Sequence, residues 1–329
     1  MNSNQKYLDN VKKKSAQLSL LIGILLFGIK LAAYFITGSS AIFSDAAESV
    51  VNIVAAAFTF YSIIVSSKPP DKSHLYGHGN VEYFAAGFEG LLIILAAVTI
   101  LYTSIIQLIE GHELSSLNIG TMLVGGAGIV NFGLGFYLVK KGRATNSPAL
   151  IADGKHILSD SYTSFGVVIG LIIVLITGLK ILDPIVAIIV ALNILITGFK
   201  IVRESVGDLM NETDMALLQK IVAHLNSERK NIWIDIHQLR FWKSADKLFI
   251  DFHLIMPYYF SIKDAHKEEE IIRKLIEKKF TNAQLNLHID YCSEVWCSRC
   301  LYDVCHVRMK PFEKKIDWTI EKMISPPSV

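Results

Sequence analysis

Six apolar segments fill the first two-thirds of the chain and limit the folds available to it. They cover roughly residues 15–37, 41–66, 83–108, 118–139, 148–178 and 182–202. Each is close to the ~20 residues that a helix needs to cross a bilayer. The 329 residues are 52% hydrophobic and only 19% charged, which is too apolar for a soluble protein of this length. We therefore predict a polytopic α-helical membrane protein with six transmembrane helices.

The charges between these segments predict how the protein is oriented in the membrane. Lysine and arginine gather in the N-terminal tail, the 67–82 loop, the 140–147 loop and the exit of the sixth segment. The 109–117 loop has neither residue, and the 178–183 loop has only Lys180. Because basic connections stay on the cytoplasmic side, both termini are expected in the cytoplasm. Residues 1–14 would be a cytoplasmic tail and residues 15–206 the transmembrane domain.

From residue 207 the composition becomes that of a soluble domain. The pattern predicts an amphipathic helix over 213–228, strands over 232–241 and 247–255, and a final strand over 284–290. Ser261 and Asp264 predict the start of a helix between the last two strands. The order α-β-β-α-β predicts a small ferredoxin-like α+β domain over residues 207–291. Residues 292–329 form a cysteine-bearing tail with a weak helix predicted over 313–324.

Polar residues at helical spacing interrupt the second and fifth apolar segments. His156 and Asp160 are four residues apart, as are Glu48 and Asn52, so each pair shares a helix face. Ionisable groups inside a membrane are costly and usually mark an ion pathway. The mixed nitrogen and oxygen set suits zinc, ferrous iron, cobalt or manganese. The alternative is a hydrogen-bond network that only joins helices.

Two further acids accompany this set. Asp45 lies one turn before Glu48, and Glu89 lies in the third segment. Either could contact the ligands without binding the metal itself, or could carry protons.

The loop between the second and third segments holds another ligand group. Asp71, His74 and His78 fall within one short stretch, and three such ligands can bind zinc with a fourth position open. The alternative is that both histidines are only solvated surface.

The soluble domain carries histidines on successive predicted elements. These residues and one acid are His237, His253, His266, His288 and Asp290. His288 and Asp290 are two apart on a strand and therefore share a face. Taken singly, each histidine could be an ordinary surface residue. Adjacent strands and the covering helix could also bring them together.

All four cysteines of the chain lie in or next to the tail. They are Cys292, Cys297, Cys300 and Cys305. In a reducing cytosol, clustered thiols indicate a metal site before disulfides. A zinc site is plausible, although the usual spacing of two Cys-x-x-Cys pairs is absent.

These motifs together resemble the cation diffusion facilitator family, from about Leu18 to Cys292. The resemblance is carried by GSSAI at 38–42, SDA at 44–46, YGHG at 76–79, AD at 152–153 before His156 and Asp160, and HIDYC at 288–292. The bacterial iron- and zinc-efflux branch is the most similar. The resemblance implies a homodimer in the bacterial inner membrane. It would exchange cytoplasmic divalent metal, most often zinc but also Fe(II), Mn, Co or Cd, for external protons by alternating access.

The resemblance also implies three kinds of metal position. The transport site maps onto Glu48, Asn52, His156 and Asp160, and the loop site onto Asp71, His74 and His78. A cytoplasmic cluster that stabilises the dimer maps onto His237, His253, His266, His288 and Asp290. Where the family commonly has aspartates, or histidine and aspartate, on the second helix, this chain has Glu48 and Asn52. Where the branch has an ionic interlock between subunits, it has Asn80 and Asn211.

Other functional classes fit the sequence less well. A membrane-embedded metal sensor or partner scaffold would bind metal without moving it, and the ligands on both site helices argue against that class. The sequence has no nucleophile elbow, H-E-x-x-H or phosphate loop, so no enzyme activity is expected. A net charge of only +2 gives no indication of nucleic-acid binding.

Overall fold

The computed structural model describes residues 3–37, 40–110, 119–179 and 181–327, and for some helical residues it describes the backbone alone. The chain divides into two compact units, Met1–Met210 and Asn211–Val329. Each unit is described by itself below.

The first unit is helical throughout its secondary structure. Its helices are α1 (Ser3–Thr37), α2 (Ser40–Ser66), α3 (Val81–Glu110), α4 (Ile119–Thr145), α5 (Pro148–Thr177) and α6 (Leu182–Leu209). Within the part of the chain that the structure describes, four stretches are long and apolar enough to cross a membrane: Gln5–Phe35, Ser49–Ser66, Val81–Glu110 and Pro184–Leu209. The predicted class, a polytopic α-helical membrane protein, is confirmed, and the count of six spans stays a prediction.

The helices of this unit pack mainly in pairs, α1 with α2, α3 with α6 and α4 with α5, and α5 also contacts α3 and α6. Gly135 of α4 and Gly154 of α5 mark a close backbone approach. A Cβ built on either glycine would lie 2.8 Å from the carbonyl oxygen of the other. Small residues permit such contacts between membrane helices. This contact fixes α5, which carries His156 and Asp160.

The second unit is a small α+β domain in the predicted order. It contains α7 (Met215–Ser227), β1 (Asp235–Ser244), β2 (Lys247–Met256), α8 (Ile262–Lys279) and β3 (Ala283–Tyr291). β1 pairs antiparallel with β2, and β2 pairs parallel with β3, so β2 is the central strand. The Ser261 side chain accepts a hydrogen bond from the Asp264 N–H and begins α8 as predicted.

The tail packs onto this domain and completes its core. Trp296, Ile316, Trp318 and Met323 are buried together with the apolar faces of α7, α8 and the sheet. A 3₁₀ helix covers Glu294–Arg299. The helix predicted over 313–324 is wrong in its first half, because only α9 (Ile320–Ile324) is helical. The preceding residues have no regular structure, which lets Ile316 and Trp318 both reach the core.

Candidate metal sites

Three predicted ligands meet between α2 and α5. Asn52 Nδ2 donates a hydrogen bond to Asp160 Oδ2 at 2.7 Å, and His156 Nε2 lies 3.0 Å from Asn52 Oδ1. Helical spacing places His156 and Asp160 on one face of α5, and Asn52 bridges them from α2. An amide oxygen, an imidazole nitrogen and a carboxylate are thus gathered at one point between the two helices.

Glu89 of α3 stands on the other side of His156. Its Oε2 lies 3.6 Å from His156 Nδ1, and its Oε1 accepts a hydrogen bond from Thr59 Oγ1 at 3.1 Å. Both Glu89 and His156 are buried. A carboxylate facing the second ring nitrogen is the usual partner of a metal-binding histidine, because it fixes the ring and its tautomer. The sequence proposed Glu89 as a candidate, and the structure gives it this position.

A cavity of about 40 Å³ reaches the same group of residues from the side of α1 and α4. Its polar lining consists of Ser19, Lys30, Ser49, Asn52, Asn131, Asp153 and Asp160. Lys30 Nζ donates a hydrogen bond to Ser49 Oγ at 2.9 Å. Sequence reasoning missed Lys30, although a single lysine inside an apolar segment is an unusual feature that could have identified it.

Two predicted members of the group lie on the second helix. Asp45 and Glu48 belong to α2, but their side chains lie outside the described residues. Asp153, which sequence reasoning used only as a motif residue, is buried. Its Oδ2 has no hydrogen-bond partner within the described part of the chain.

The loop residues Asp71, His74 and His78 form a second group. His78 Nε2 lies 3.2 Å from Asp71 Oδ2, and His74 Nδ1 lies 3.4 Å from Asp71 Oδ1. One ligand atom from each residue lies within 4.8 Å of the other two. The His74 backbone N–H, helped by that of Ser73, lowers the pKa of Asp71 below its ordinary value. Asp71 is therefore ionised at neutral pH, as a metal ligand must be.

A third group stands across the sheet of the second unit. His237 of β1 is paired with His253 of β2, and His253 with His288 of β3, so the three histidines form one row. Asp290 reaches all three. Its Oδ2 lies 2.9 Å from His253 Nδ1 and 3.4 Å from His237 Nε2, and its Oδ1 lies 3.3 Å from His288 Nε2. The ligand atoms of His237, His253 and Asp290 lie within 4.8 Å of one another, which suits a divalent metal.

Asp235 contacts His237 of this row, and Lys322 in turn contacts Asp235. Asp235 Oδ2 lies 3.5 Å from His237 Nδ1 and accepts a hydrogen bond from Lys322 Nζ at 2.8 Å. Burial lowers the pKa of His237, although Asp235 and Asp290 oppose that effect. His237 is therefore neutral and able to bind metal near neutral pH. Asp235 lies two residues before His237 on β1 and so shares its face, a strand signal that sequence reasoning missed. Lys322 is far away in the sequence, and no periodicity links it to the site.

His266 is the one predicted member of this cluster that the structure does not bring to it. Its side chain is 68% exposed, and its Nδ1 lies 3.4 Å from Glu269 Oε2 on the same helix. The four cysteines, in contrast, line one small cavity at the end of the sheet.

Comparisons with known proteins show the family to which the chain belongs. Residues 16–210 match the cation efflux transmembrane domain, and residues 214–292 match the cytoplasmic domain of cation efflux proteins. The chain belongs to the cation efflux, or cation diffusion facilitator, family. This cation efflux protein is thus an integral membrane transporter of divalent metal cations. The match to the cytoplasmic domain supports a homodimer.

Individual relatives cover most of the chain. An uncharacterized transporter of Synechocystis is 33% identical over 277 residues, 84% of this chain and 89% of the relative. The magnetosome protein MamB of Magnetospirillum gryphiswaldense is 28% identical over 249 residues, 75% of this chain and 83% of the relative. The manganese efflux system protein MneP of Bacillus subtilis is 25% identical over 284 residues, 84% of this chain and 94% of the relative.

Proposed function

We propose that this cation efflux protein exports a divalent transition metal from the cytoplasm in exchange for protons. It would act in the bacterial inner membrane, with both termini in the cytoplasm. The proposal depends on one observation: between α2 and α5, the Asn52 side chain contacts both His156 and Asp160. Glu48, one turn before Asn52, is proposed as the fourth ligand. The proposal is transport by alternating access and includes no chemical conversion.

The ligand types limit the metal. Imidazole, amide and carboxylate ligands suit zinc, Fe(II), manganese or cobalt, whereas thiolates would be expected for a site selective for soft metals. Zinc is the first candidate, with Fe(II), Mn, Co and Cd as alternatives. The alignment with MneP covers 84% of this chain, and MneP is named as a manganese efflux protein. Manganese is therefore the alternative to test first.

Exchange with protons follows from competition at His156. His156 Nε2 faces Asn52 Oδ1, and His156 Nδ1 faces Glu89 Oε2. Metal binding requires the Nε2 lone pair, so the ring proton must stand on Nδ1, where Glu89 can accept its hydrogen bond. Protonation of the ring from the outside removes the lone pair and releases the metal. One group thus holds either a metal or a proton, which is the minimal requirement for antiport.

The proposal gives each part of the chain a role. Residues 15–206 are the transport domain, residues 207–291 the metal-binding dimerisation domain, and residues 1–14 and 292–329 the two tails. The loop group at Asp71, His74 and His78 would take up metal near the transport path. The row of His237, His253 and His288 with Asp290 would bind metal that tightens the dimer.

Flux in proteoliposomes tests the proposal. The purified protein is reconstituted with a metal-sensitive dye and a pH-sensitive dye inside, and zinc or manganese is added outside. We expect metal entry coupled to proton exit, and Asp160→Ala should abolish both while the dimer stays folded. Tyr162→Phe, an exposed position on the same helix, is the matched control. Metal binding without flux in the unaltered protein would indicate the sensor or scaffold class instead.

A further inference from the structure

The four cysteines come from two separate segments and line one cavity. Cys292 follows β3, and its N–H donates a hydrogen bond to Met256 O at 2.9 Å, which extends the sheet. Cys297, Cys300 and Cys305 come from the 3₁₀ helix and the chain after it. The shared cavity has a volume of about 10 Å³, room for one ion or one water molecule.

Arg308 holds the cysteine loop in a turn around this cavity. Its guanidinium donates hydrogen bonds to the carbonyl oxygens of Cys297 at 2.7 Å, Cys300 at 2.9 Å and Tyr302 at 2.8 Å. The Glu313 N–H donates to Ser298 O at 2.7 Å. The backbone that carries the Cys-x-x-Cys pair is therefore fixed from outside by the following part of the tail.

The cavity has the chemistry of a thiolate metal site. All four cysteines are free thiols, and Cys300 is buried. Four thiolates around one divalent cation carry a net charge of −2, and the Arg308 guanidinium that lines the cavity offsets part of it. The four sulfurs do not yet stand at the mutual distances found in the loop and histidine groups. Closure of the site therefore requires the cysteine side chains to move inward, while the Arg308 hydrogen bonds keep the loop in its turn.

We propose that Cys292, Cys297, Cys300 and Cys305 bind one zinc ion in a closed, four-coordinate site that anchors the tail. Four thiolates with no open position are typical of structural zinc sites, and soft ligands select zinc over manganese or iron(II). The two matched family domains end at residues 210 and 292, so nearly all of this site lies beyond them. The site belongs to the second unit, and the proposal does not depend on the proposed direction or mechanism of transport.

The position of the site gives it a structural role. The residues that follow it insert Ile316, Trp318 and Met323 into the core. They also place Lys322 beside Asp235, and the Ser325 carbonyl accepts a hydrogen bond from the Gln238 N–H at 3.0 Å. Gln238 directly follows His237, so a tail held at its cysteines also holds the surroundings of the histidine row.

Cobalt binding to the full chain tests the site. The protein is purified in detergent with a reductant, stripped with a chelator and titrated with Co²⁺. Every cysteine of the chain lies between residues 292 and 305, so any thiolate-to-cobalt charge-transfer absorption in the near ultraviolet reports this cluster alone. We expect the absorption to saturate at one Co²⁺ per chain and to be displaced by zinc.

Two double variants separate this site from the histidine row. Cys297→Ser/Cys300→Ser should lose the absorption, and His253→Ala/Asp290→Asn should keep it. Absence of the absorption in the unaltered protein, or its persistence in the cysteine variant, overturns the proposal.

A second measurement uses the unaltered protein, so it tests the site even if the cysteine variant does not fold. Stoichiometric zinc should slow alkylation of all four thiols in the unaltered protein by at least about tenfold, since the thiolate is the reactive species and the metal holds it. Equal alkylation rates with and without zinc, or a disulfide in protein kept under reductant, contradict the site. The four tryptophans, at positions 233, 242, 296 and 318, all belong to the second unit. Their emission therefore shows whether that unit is folded in each variant.

Discussion

Lys12 of α1 and Glu82 of α3 form an ion pair that is almost completely shielded, with side-chain exposures of 1% and 0% and a distance of 3.4 Å between Nζ and Oε1. Ser66 Oγ donates a hydrogen bond to Glu82 Oε1 at 2.6 Å, and Ser147 Oγ donates to Glu82 Oε2. Ser66 ends α2, and Ser147 immediately precedes α5. One carboxylate therefore joins four elements at the end of the bundle that the charge pattern assigns to the cytoplasm.

Loss of either partner of this pair should destabilise the first unit. Lys12→Met removes the buried cation of this pair, and Glu82→Leu removes its buried anion. Removing one partner of a buried ion pair costs about 3 to 5 kcal/mol. The double variant should lose less stability than the sum of the losses in the two single variants. Thermal stability of the detergent-solubilised protein, read by size exclusion after heating, measures this cycle. Additive losses would show that the two residues do not act as a pair.

Glu89→Gln should weaken metal binding at the transport site. The carboxylate faces His156 Nδ1 at 3.6 Å, and loss of a group that orients a metal-binding histidine typically costs about 10- to 100-fold in metal affinity. We expect a higher half-saturating zinc concentration and a changed pH profile of uptake. Thr59→Val removes only the hydrogen bond to Glu89 and is the matched control. An unchanged half-saturating concentration and pH profile would mean that Glu89 does not position His156.

Asn52→Asp should change metal selectivity or the pH dependence of transport without abolishing transport. Asn52 Nδ2 lies 2.7 Å from Asp160 Oδ2, so the substitution places two carboxylates side by side. Such a pair takes up a proton more readily and attracts hard divalent cations more strongly. Zinc, iron and manganese uptake by both forms between about pH 6 and pH 8 measures the effect. Superimposable selectivity and pH profiles would remove Asn52 from the site.

Metal at the histidine row should strengthen association of the subunits. Ligand binding that favours the dimer shifts the monomer–dimer equilibrium by mass action. Sedimentation of a fragment from Asp208 onward, with zinc and with a chelator, measures the shift. His253→Ala/Asp290→Asn should behave like the chelated form, and His224→Ala, outside the row, should respond like the unaltered fragment. An identical equilibrium with and without metal contradicts this role.

The second unit should lose stability as the pH falls below about 6.5 in the presence of a chelator. Burial lowers the pKa of His237 in the folded unit. The unfolded chain therefore takes up this proton first, and stability falls with pH, by at most about 1.4 kcal/mol per pH unit for one proton. Urea unfolding of the full chain, followed by tryptophan emission, measures the slope. His237→Asn should flatten the slope below pH 6.5, and an equal slope in both forms would exclude His237 as its source.

The sequence predicted those parts of the sites that repeat along one element. The spacing of four in α5 placed His156 and Asp160 on one face, and the spacing of two in β3 did the same for His288 and Asp290. The short loop predicted the grouping of Asp71, His74 and His78, because few residues separate them. His266 was grouped with the row only through the family resemblance and its place on the covering helix. Its exposure and its contact with Glu269 show that sharing a domain does not bring a side chain to a site.

The sequence by itself determined the membrane class, the α-β-β-α-β order and the local spacing of ligands. These features depend on hydropathy and on the fixed periods of helices and strands. Only the tertiary structure decided that Glu89 meets His156, that Lys12 meets Glu82, and that the histidines of three strands stand in one row. Each of these contacts joins different elements of the chain. Their positions depend on how surfaces fit, as at Gly135 and Gly154, and on strand register, and no local period encodes either.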